Sequence, residues 1–390
     1  MEAMGKLMAH MRQRPFELKK LKEKGSKIVG YVPNGYMPEE LVCASGAIPV
    51  GLIRGGDREP VIASEAYLLR FLDIFCRSQI GYRVLKQELL YQLPDLVIVP
   101  ITDRNISAIA ESWQLFTDVS VFKLGVPRYN QAEHAFNYYI EGLNLLKQRL
   151  EKFTGMRIQD ERLREEIDLS NRIRSLLEEI SHRRKLLHPP ISGKDFIRLN
   201  HATYYADRKI LVETLESIIK EFKKCKAHKP RGPRIMLTGS TMAEGDYEII
   251  DLLEEMGAVV VIEEFSEGVR HYQQKVVLDG DPINALADRY LRRRIPPAFF
   301  RGATKERFNY LLKLIREFKV DGVLWYSLMY RDSYDREGLL FSKVLAEQAG
   351  IPFLKISSSY DVTQTGPERT RIEAFIEIIE GRGGKWILDS

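Results

Sequence analysis

The sequence predicts an α/β protein with two Rossmann-like units, each a doubly wound parallel sheet, joined by a helical segment. Short β-branched runs alternate with longer amphipathic runs in both the N-terminal and the C-terminal part of the chain, which is the order of a β-α-β fold. The run at 96–101 is apolar throughout, as in strands buried on both faces of a parallel sheet. Between the two parts lies a long charged stretch with a helical pattern and few strand signals.

The first unit begins with a strand at Lys27–Pro33, which ends in turn residues. A helix follows from about Pro38, because a proline and two glutamates suit the first turn of a helix. Further strands are predicted at Leu96–Ile101 and Val119–Leu124. The Met, Leu and Phe positions of residues 1–25 predict one amphipathic helix, without the continuous apolar run of a secretory signal.

The second unit repeats this alternation of strands and helices. Its strands are predicted at Arg234–Gly239, Ala258–Ile262, Gly322–Tyr326 and Phe353–Ile356, and its helical patterns lie at 247–257, 305–319, 338–350 and 370–379.

Four segments follow from these elements. They are an N-terminal helical extension at 1–25, the first α/β domain at 26–155, a helical connecting segment at 156–230 and the second α/β domain at 231–390. The stretch Lys229–Pro233 breaks helix and marks the last boundary. In such sheets, ligands bind beyond the carboxyl ends of the strands, so a cleft between the two units is the expected site.

The composition excludes several classes of protein. With 390 residues, 44% hydrophobic and 29% charged, the chain has an ordinary globular composition. No apolar run approaches the roughly 18 residues that span a bilayer, so we expect no membrane contact and a cytoplasmic location. The net charge of +5 is spread over interrupted basic runs, which argues against nucleic-acid binding. Three scattered cysteines and seven histidines show no disulfide framework and no zinc spacing.

Several predicted strand ends resemble a known family. The runs Gly30–Leu41 and Ala44–Gly51 resemble the opening of the D-component subunits of 2-hydroxyacyl-CoA dehydratases and of benzoyl-CoA reductase. Glu263–Arg270, Ala287–Leu291 and Arg369–Glu377 are similar to later stretches of that family, and the last matches its T-R-x-x-A-F-x-E ending. The resemblance covers most of the chain, in the expected order.

The resemblance implies a subunit of an anaerobic enzyme complex. Family subunits have two Rossmann-like domains, work in pairs and usually carry a [4Fe–4S] cluster on three cysteines. A separate ATP-dependent activator supplies an electron, which makes a ketyl radical of a CoA thioester and allows either water loss or ring reduction. The implied activity is therefore that of a lyase or an oxidoreductase, and the acyl group stays open.

The sequence departs from the family at the cluster ligands. The three ligand positions correspond to Asp73, Thr102 and Arg331, and the latter two precede Asp103 and Asp332. Iron–sulfur clusters are held by thiolates, and an arginine cation opposes iron binding. We therefore expect no cofactor in this chain and a [4Fe–4S] cluster in a homologous partner subunit, as a hetero-oligomer. Arg331 would form an internal ion pair with Asp103 or Asp332, or bind an anionic ligand.

Two alternatives remain open from the sequence. Cys76 lies three residues after Asp73, so on a helix it could face the same cavity, and together with Cys43 it could hold an iron–sulfur cluster in unusual ligation. Otherwise both thiols are buried, which is the usual fate of free cysteine. The third hypothesis is a non-redox module that binds a CoA ester or another small anion.

Further residues are candidates for the site. Asn34 and Tyr36 follow the first strand, where the family shapes its substrate pocket, so they join Asp73, Thr102, Asp103, Arg331 and Asp332 as substrate-pocket candidates. Arg270, Arg369 and Arg371 are candidates for contact with CoA phosphates or a partner. The residues that act in catalysis stay unknown.

Overall fold

Two four-stranded parallel sheets form the centre of the protein in a computed structural model, which describes residues 1–223, 232–361 and 365–381. The first sheet has the order β2-β1-β3-β4 and the second has the order β6-β5-β7-β8. The prediction of two Rossmann-like α/β units is confirmed. The strands are β1 (Ile28–Tyr31), β2 (Ile48–Gly51), β3 (Leu96–Ile101), β4 (Ser120–Gly125), β5 (Arg234–Gly239), β6 (Val259–Glu264), β7 (Gly322–Leu328) and β8 (Phe353–Ser358).

Helices cover the sheets and connect the two units. The helices of the first part are α1 (Glu2–Glu23), α2 (Glu39–Ala44), α3 (Arg58–Ala63), α4 (Ile74–Leu85), α5 (Arg104–Phe116) and α6 (Glu133–Thr154). The connecting helices are α7 (Asp160–Arg183), α8 (Gly193–Ala202) and α9 (Arg208–Phe222). The second part contains α10 (Glu248–Glu255), α11 (Val269–Tyr272), α12 (Pro282–Ala287), α13 (Ala303–Phe318), α14 (Asp332–Gln348) and α15 (Thr365–Gly381).

The N-terminal helix α1 is part of the packed structure. Its residues Leu7 and Leu18 are fully buried, and the backbone N–H of Ala3 donates to Glu221 at 2.9 Å, at the end of α9. The helix therefore packs against the connecting segment. The division of the chain into four segments stays a prediction, and Cys225 and most of the predicted boundary Lys229–Pro233 lie outside the described residues.

Buried ion pairs tie the connecting helices to both units. Arg174 of α7 donates to Glu40 of α2 at 2.6 Å, and Arg184 binds Glu263 of β6 at 2.5 and 3.2 Å. All four side chains are at most 7% exposed. Removing one partner of such a pair leaves an uncompensated charge in the interior, so these contacts fix how the connecting helices sit on the sheets.

The expectation that no segment spans a membrane can be compared with the helices of the structure. Across the three described ranges, no helix combines the length and the apolar character needed to cross a membrane.

Candidate functional site

Residues that follow six of the eight strands line one cavity between the two sheets. In each sheet the first strand lies between the second and the third, which creates a topological switch point where α/β proteins bind ligands. Asn34 follows β1, Thr102 follows β3, Ser240 follows β5 and Arg331 follows β7, and all four line the cavity. Its volume of about 30 Å³ is room for about two waters. The two switch points thus face each other across a small, nearly filled space.

Asn34 and Tyr36, which follow β1, shape one wall of this cavity. Asn34 donates to the carbonyl of Pro100 at 2.7 Å, and its side-chain oxygen accepts the backbone N–H of Tyr36 at 3.4 Å. The Tyr36 ring stacks on Phe300 at 5.5 Å between centroids. Its hydroxyl is buried without a hydrogen-bond partner among the described residues, and burial raises its pKa. A buried hydroxyl of this kind is a free donor for an acceptor atom in the cavity.

Arg331 lines the cavity and forms, with Asp73 and Asp103, what we call the ion cluster. Arg331 donates from Nη1 to Asp103 at 2.9 Å, and its Nε lies 3.5 Å from Asp73. The guanidinium also stands 5.5 Å from the ring centroid of Phe299. Asp332 does not join this cluster, since it is exposed on the first turn of α14. Arg331 belongs to the second unit and the two aspartates to the first, so the ion cluster joins the units.

Local structure places the two aspartates. Asp103 begins α5 and accepts the backbone N–H of Asn105 at 2.8 Å, while Asp73 begins α4 and accepts that of Cys76 at 2.9 Å. Aspartate is a preferred residue at this position because its carboxylate binds the free N–H groups of the first turn. Each carboxylate is therefore oriented by the backbone of its own helix, independently of Arg331.

Burial and charge act in opposite directions on the ion cluster. Burial raises the pKa of Asp103, but Arg331 and the hydrogen bonds from Asn105 and Thr102 together outweigh burial, so this pKa lies below its usual value. Burial dominates at Asp73, whose pKa is raised despite Arg331. Burial also lowers the pKa of Arg331, and the two carboxylates outweigh it, so that pKa is raised. Arg331 and Asp103 are consequently a charged pair at neutral pH.

The residues at the family's ligand positions do not fit an iron–sulfur cluster. Asp73 and Asp103 are both engaged by a guanidinium, and the Thr102 hydroxyl donates to Asp103 at 3.1 Å. Clusters of this type need thiolates. Within residues 1–223, 232–361 and 365–381, no group of three or more Cys, His, Asp or Glu side chains is arranged to hold a metal ion.

The two described cysteines have different surroundings. The charges that act on Cys76 come from Asp73, Arg331 and Asp103, whereas Cys43 faces Arg208 and a set of glutamates. Burial raises the pKa of Cys43 to about 12 and that of Cys76 well above its usual value. The charged groups that act most strongly on one thiol are therefore not those that act on the other.

The three arginines proposed for CoA or partner contact lie in two kinds of place. Arg270 is only 3% exposed and pairs with Glu264 at 2.8 Å inside the protein. Arg369 is exposed on α15 and binds Glu255 at 2.6 Å. Arg371, also exposed, donates to a backbone carbonyl of β8. Only the α15 pair is accessible to a partner in this structure, and the contact role of all three stays a prediction.

Glu267 is a cavity residue that the sequence analysis missed. It follows β6, lines the cavity, is 3% exposed and accepts the backbone N–H of Met242. Burial raises its pKa to about 7. The sequence could have indicated Glu267, because it follows a predicted strand and lies inside the Glu263–Arg270 stretch.

Comparison with known proteins identifies the family. The model of the 2-hydroxyglutaryl-CoA dehydratase D-component family matches residues 34–379. The chain belongs to this family. YjiM of Escherichia coli (strain K12), which carries the provisional name of a dehydratase subunit, is 29% identical over 92% of this chain and 93% of its own length.

Other relatives of this D-component family member have more specific names. The beta subunit of (R)-phenyllactyl-CoA dehydratase from Clostridium sporogenes is 23% identical over 94% of this chain and 95% of that subunit. A benzoyl-CoA reductase subunit from Thauera aromatica is 24% identical over 91% of each chain. These relatives are subunits of acyl-CoA dehydratases and of benzoyl-CoA reductase. The resemblance stated from the sequence is thereby confirmed.

Proposed function

We propose that this chain is a companion subunit in a 2-hydroxyacyl-CoA dehydratase or benzoyl-CoA reductase type of complex, and that it carries no iron–sulfur cluster of its own. The observation that supports this most directly is the ion cluster. At the positions where the resemblance expects thiolates, Arg331 binds Asp103 at 2.9 Å and lies 3.5 Å from Asp73. An internal salt bridge stands where a cluster would need free ligands.

In this proposal the redox chemistry belongs to a homologous cluster-bearing subunit, supplied with electrons by an ATP-dependent activator in the cytoplasm. This chain contributes a structural half of the complex and a wall of the CoA-thioester pocket. The Tyr36 hydroxyl, which has no hydrogen-bond partner among the described residues, suits donating a hydrogen bond to an acceptor atom at this wall. Glu267, with a pKa of about 7, suits holding or releasing a proton near neutral pH.

The two other hypotheses from the sequence receive less support. A cluster on Cys43 and Cys76 would need two thiols that here have separate surroundings. An anion in the cavity would need an unpaired cation there, but among the described lining residues the only cation is Arg331, which two carboxylates already engage. The companion-subunit proposal requires neither a pair of neighbouring thiols nor an unpaired cation.

The test is an iron and acid-labile sulfide assay on anaerobically purified protein, both alone and coexpressed with the cluster-bearing homologous subunit. We expect no iron in the chain alone and about four irons per heterodimer. Cys76→Ser and Cys43→Ser in this chain should leave that value unchanged, while replacing a ligand cysteine of the partner should abolish it. Iron in the chain alone that is lost on Cys76→Ser would overturn the proposal.

A further inference from the structure

Large apolar side chains are exposed on the segment that precedes Asp73 and at the C-terminal end of α5. Leu69 is 76% exposed, Phe71 67%, Leu115 73% and Phe116 48%. Single exposed apolar residues are common, but several together mark an interaction surface on a soluble protein. We call these four residues, together with Tyr67 and Tyr330, the apolar strip.

A ring contact and a hydrogen bond place the segment 67–73 of the apolar strip along α5. Tyr67 packs against Phe116 at 5.1 Å between ring centroids, at the end of α5. At the beginning of α5, the side chain of Asn105 accepts the backbone N–H of Asp73 at 3.1 Å. The segment 67–73 therefore runs along α5, whose rise from residue 105 to 116 is about 16 Å at roughly 1.5 Å per residue.

The strip crosses from the first unit to the second at its Phe71 end. The ring of Phe71 meets that of Tyr330 edge-on at 5.7 Å. Tyr330 and Arg331 are neighbours in sequence, and Phe71 is two residues from Asp73. A surface that covers the strip would therefore also cover the ion cluster, whose Arg331 side chain is still 11% exposed.

The strip is held in place before any partner binds. Tyr330 has a φ of +68°, a left-handed conformation that a bulky residue adopts only when its surroundings impose it. Buried Arg77 donates to the backbone carbonyl of Arg70 at 3.1 Å and so fixes the loop that carries Leu69 and Phe71. A preformed surface loses little conformational entropy on binding.

We propose that the apolar strip is the surface on which the homologous partner subunit docks; this rests on the proposed function. A stable interface buries about 800 Å² on each side, so the strip supplies its apolar centre and the surrounding polar residues its rim. Exposed Arg70 and Arg104 flank the Phe71 end, and in the described ranges neither forms an ion pair. The docking face of the partner is therefore apolar at its centre, with carboxylates opposite these two arginines.

The first test compares Phe71→Asp with Leu187→Asp in binding to the coexpressed cluster-bearing subunit. Leu187 is also 67% exposed but lies in the loop after α7, far from the strip in sequence. We expect Phe71→Asp to weaken the heterodimer at least about 30-fold, as for a central interface residue, and Leu187→Asp to leave it unchanged. Both positions are exposed, so circular dichroism and thermal unfolding should show an unaltered fold.

Hydrogen exchange of the complex provides a second measurement. We expect new protection at 67–73, at the end of α5 and at 329–330. A heterodimer that forms with protection elsewhere and tolerates Phe71→Asp overturns the docking surface but leaves the proposed function standing. Self-association through Phe71 in place of binding to the homologous subunit overturns the assigned partner. If the wild-type chain, with its apolar strip intact, forms no heterodimer with the cluster-bearing subunit, the proposed function itself is overturned.

Discussion

Asp103 and Arg331 occupy equivalent positions in the two α/β units, and they bind each other at 2.9 Å. Asp103 begins the helix after the third strand of the first sheet, and Arg331 precedes the helix after the third strand of the second. The strand orders of the two sheets correspond. Opposite charges at corresponding positions thus join the two similar units.

Loss of Arg331 should destabilise the protein strongly. In Arg331→Met, Asp73 and Asp103 keep their buried carboxylates but lose the cation, which costs about 3–5 kcal/mol for a buried pair. Urea unfolding followed by circular dichroism measures this free energy. Arg336→Met is the matched control, because Arg336 is exposed on the helix that follows Arg331, and a change within about 0.5 kcal/mol is expected there. Adding Asp73→Asn and Asp103→Asn to Arg331→Met should recover much of the loss; equal effects of Arg331→Met and Arg336→Met would contradict this account.

The pKa of Glu267 should make stability depend on pH. Burial raises the pKa of Glu267 from 4.5 to about 7. Below about pH 4.5 the carboxyl is neutral in both the folded and the unfolded protein, so its full contribution to the free energy of unfolding is present. It is lost as the pH rises to about 7, because the unfolded chain has already released the proton. The difference amounts to about 3 kcal/mol, at about 1.4 kcal/mol for each pKa unit.

Glu267→Gln tests this dependence, since glutamine still accepts the N–H of Met242 but does not ionise. The stability of the variant relative to the wild type should increase between pH 4.5 and 8, as measured by urea unfolding at each pH. Glu39 and Asp246 also have pKa values raised to about 7 by burial, so only the difference between the two proteins is informative. A difference that stays constant with pH would exclude the raised pKa.

Cys43 and Cys76 should be unreactive in the folded protein. Both are buried, and burial raises both pKa values, while the thiolate is the form that reacts. In a Cys225→Ser background, which removes the third thiol, we expect a disulfide reagent to modify the native protein at least about 100-fold more slowly than the unfolded protein. Fast modification of one thiol in the native state would show an accessible site and reopen the possibility of unusual ligation.

Gly35→Ala should cost more stability than Gly155→Ala. Both glycines have a positive φ, +85° and +74°, but an added Cβ would lie 1.9 Å from Nη2 of Arg294 at Gly35 and meets nothing within 4 Å at Gly155. Backbone strain costs about 1–2 kcal/mol in both. At Gly35, Arg294 must also leave the carbonyls that it binds at 2.6 and 3.0 Å, which adds at least about 2 kcal/mol. Thermal unfolding compares the two; similar losses would show that Arg294 adapts without cost.

Much of the sheet structure could be predicted from the sequence, because strands such as β3 are continuously apolar and flanked by turn residues. β2 was not predicted as a strand, since it has only four residues, includes Pro49 and lies at a sheet edge. The start of α14 at Asp332 lies six residues before the predicted pattern. The first turn of α14 is polar, so the spacing of apolar residues that indicates a helix begins only later. The acidic residues of that turn nevertheless suit a helix N-terminus.

The candidate site was harder to predict because its contacts join distant parts of the chain. Asp103 and Arg331 are 228 positions apart, and only the convergence of two switch points brings them together. The same holds for the pKa of Glu267, which arises from tertiary burial that no local pattern encodes. Asn34 and Tyr36 could be found because residues after the first strand of such a sheet face its ligand edge.

The long-range ion pairs of the connecting helices also constrain how the chain matures on the ribosome. Glu40 is fully buried against Arg174, and Arg184 is fully buried against Glu263, so each early charge must wait for a partner synthesised much later. Until β6 has emerged, Arg184 is a cation without its counterion, and closing the interior around it is unfavourable. We therefore expect the contact between Arg184 and β6 to form only after Glu263 has been synthesised, and a separately expressed N-terminal part would keep Arg184 without its counterion.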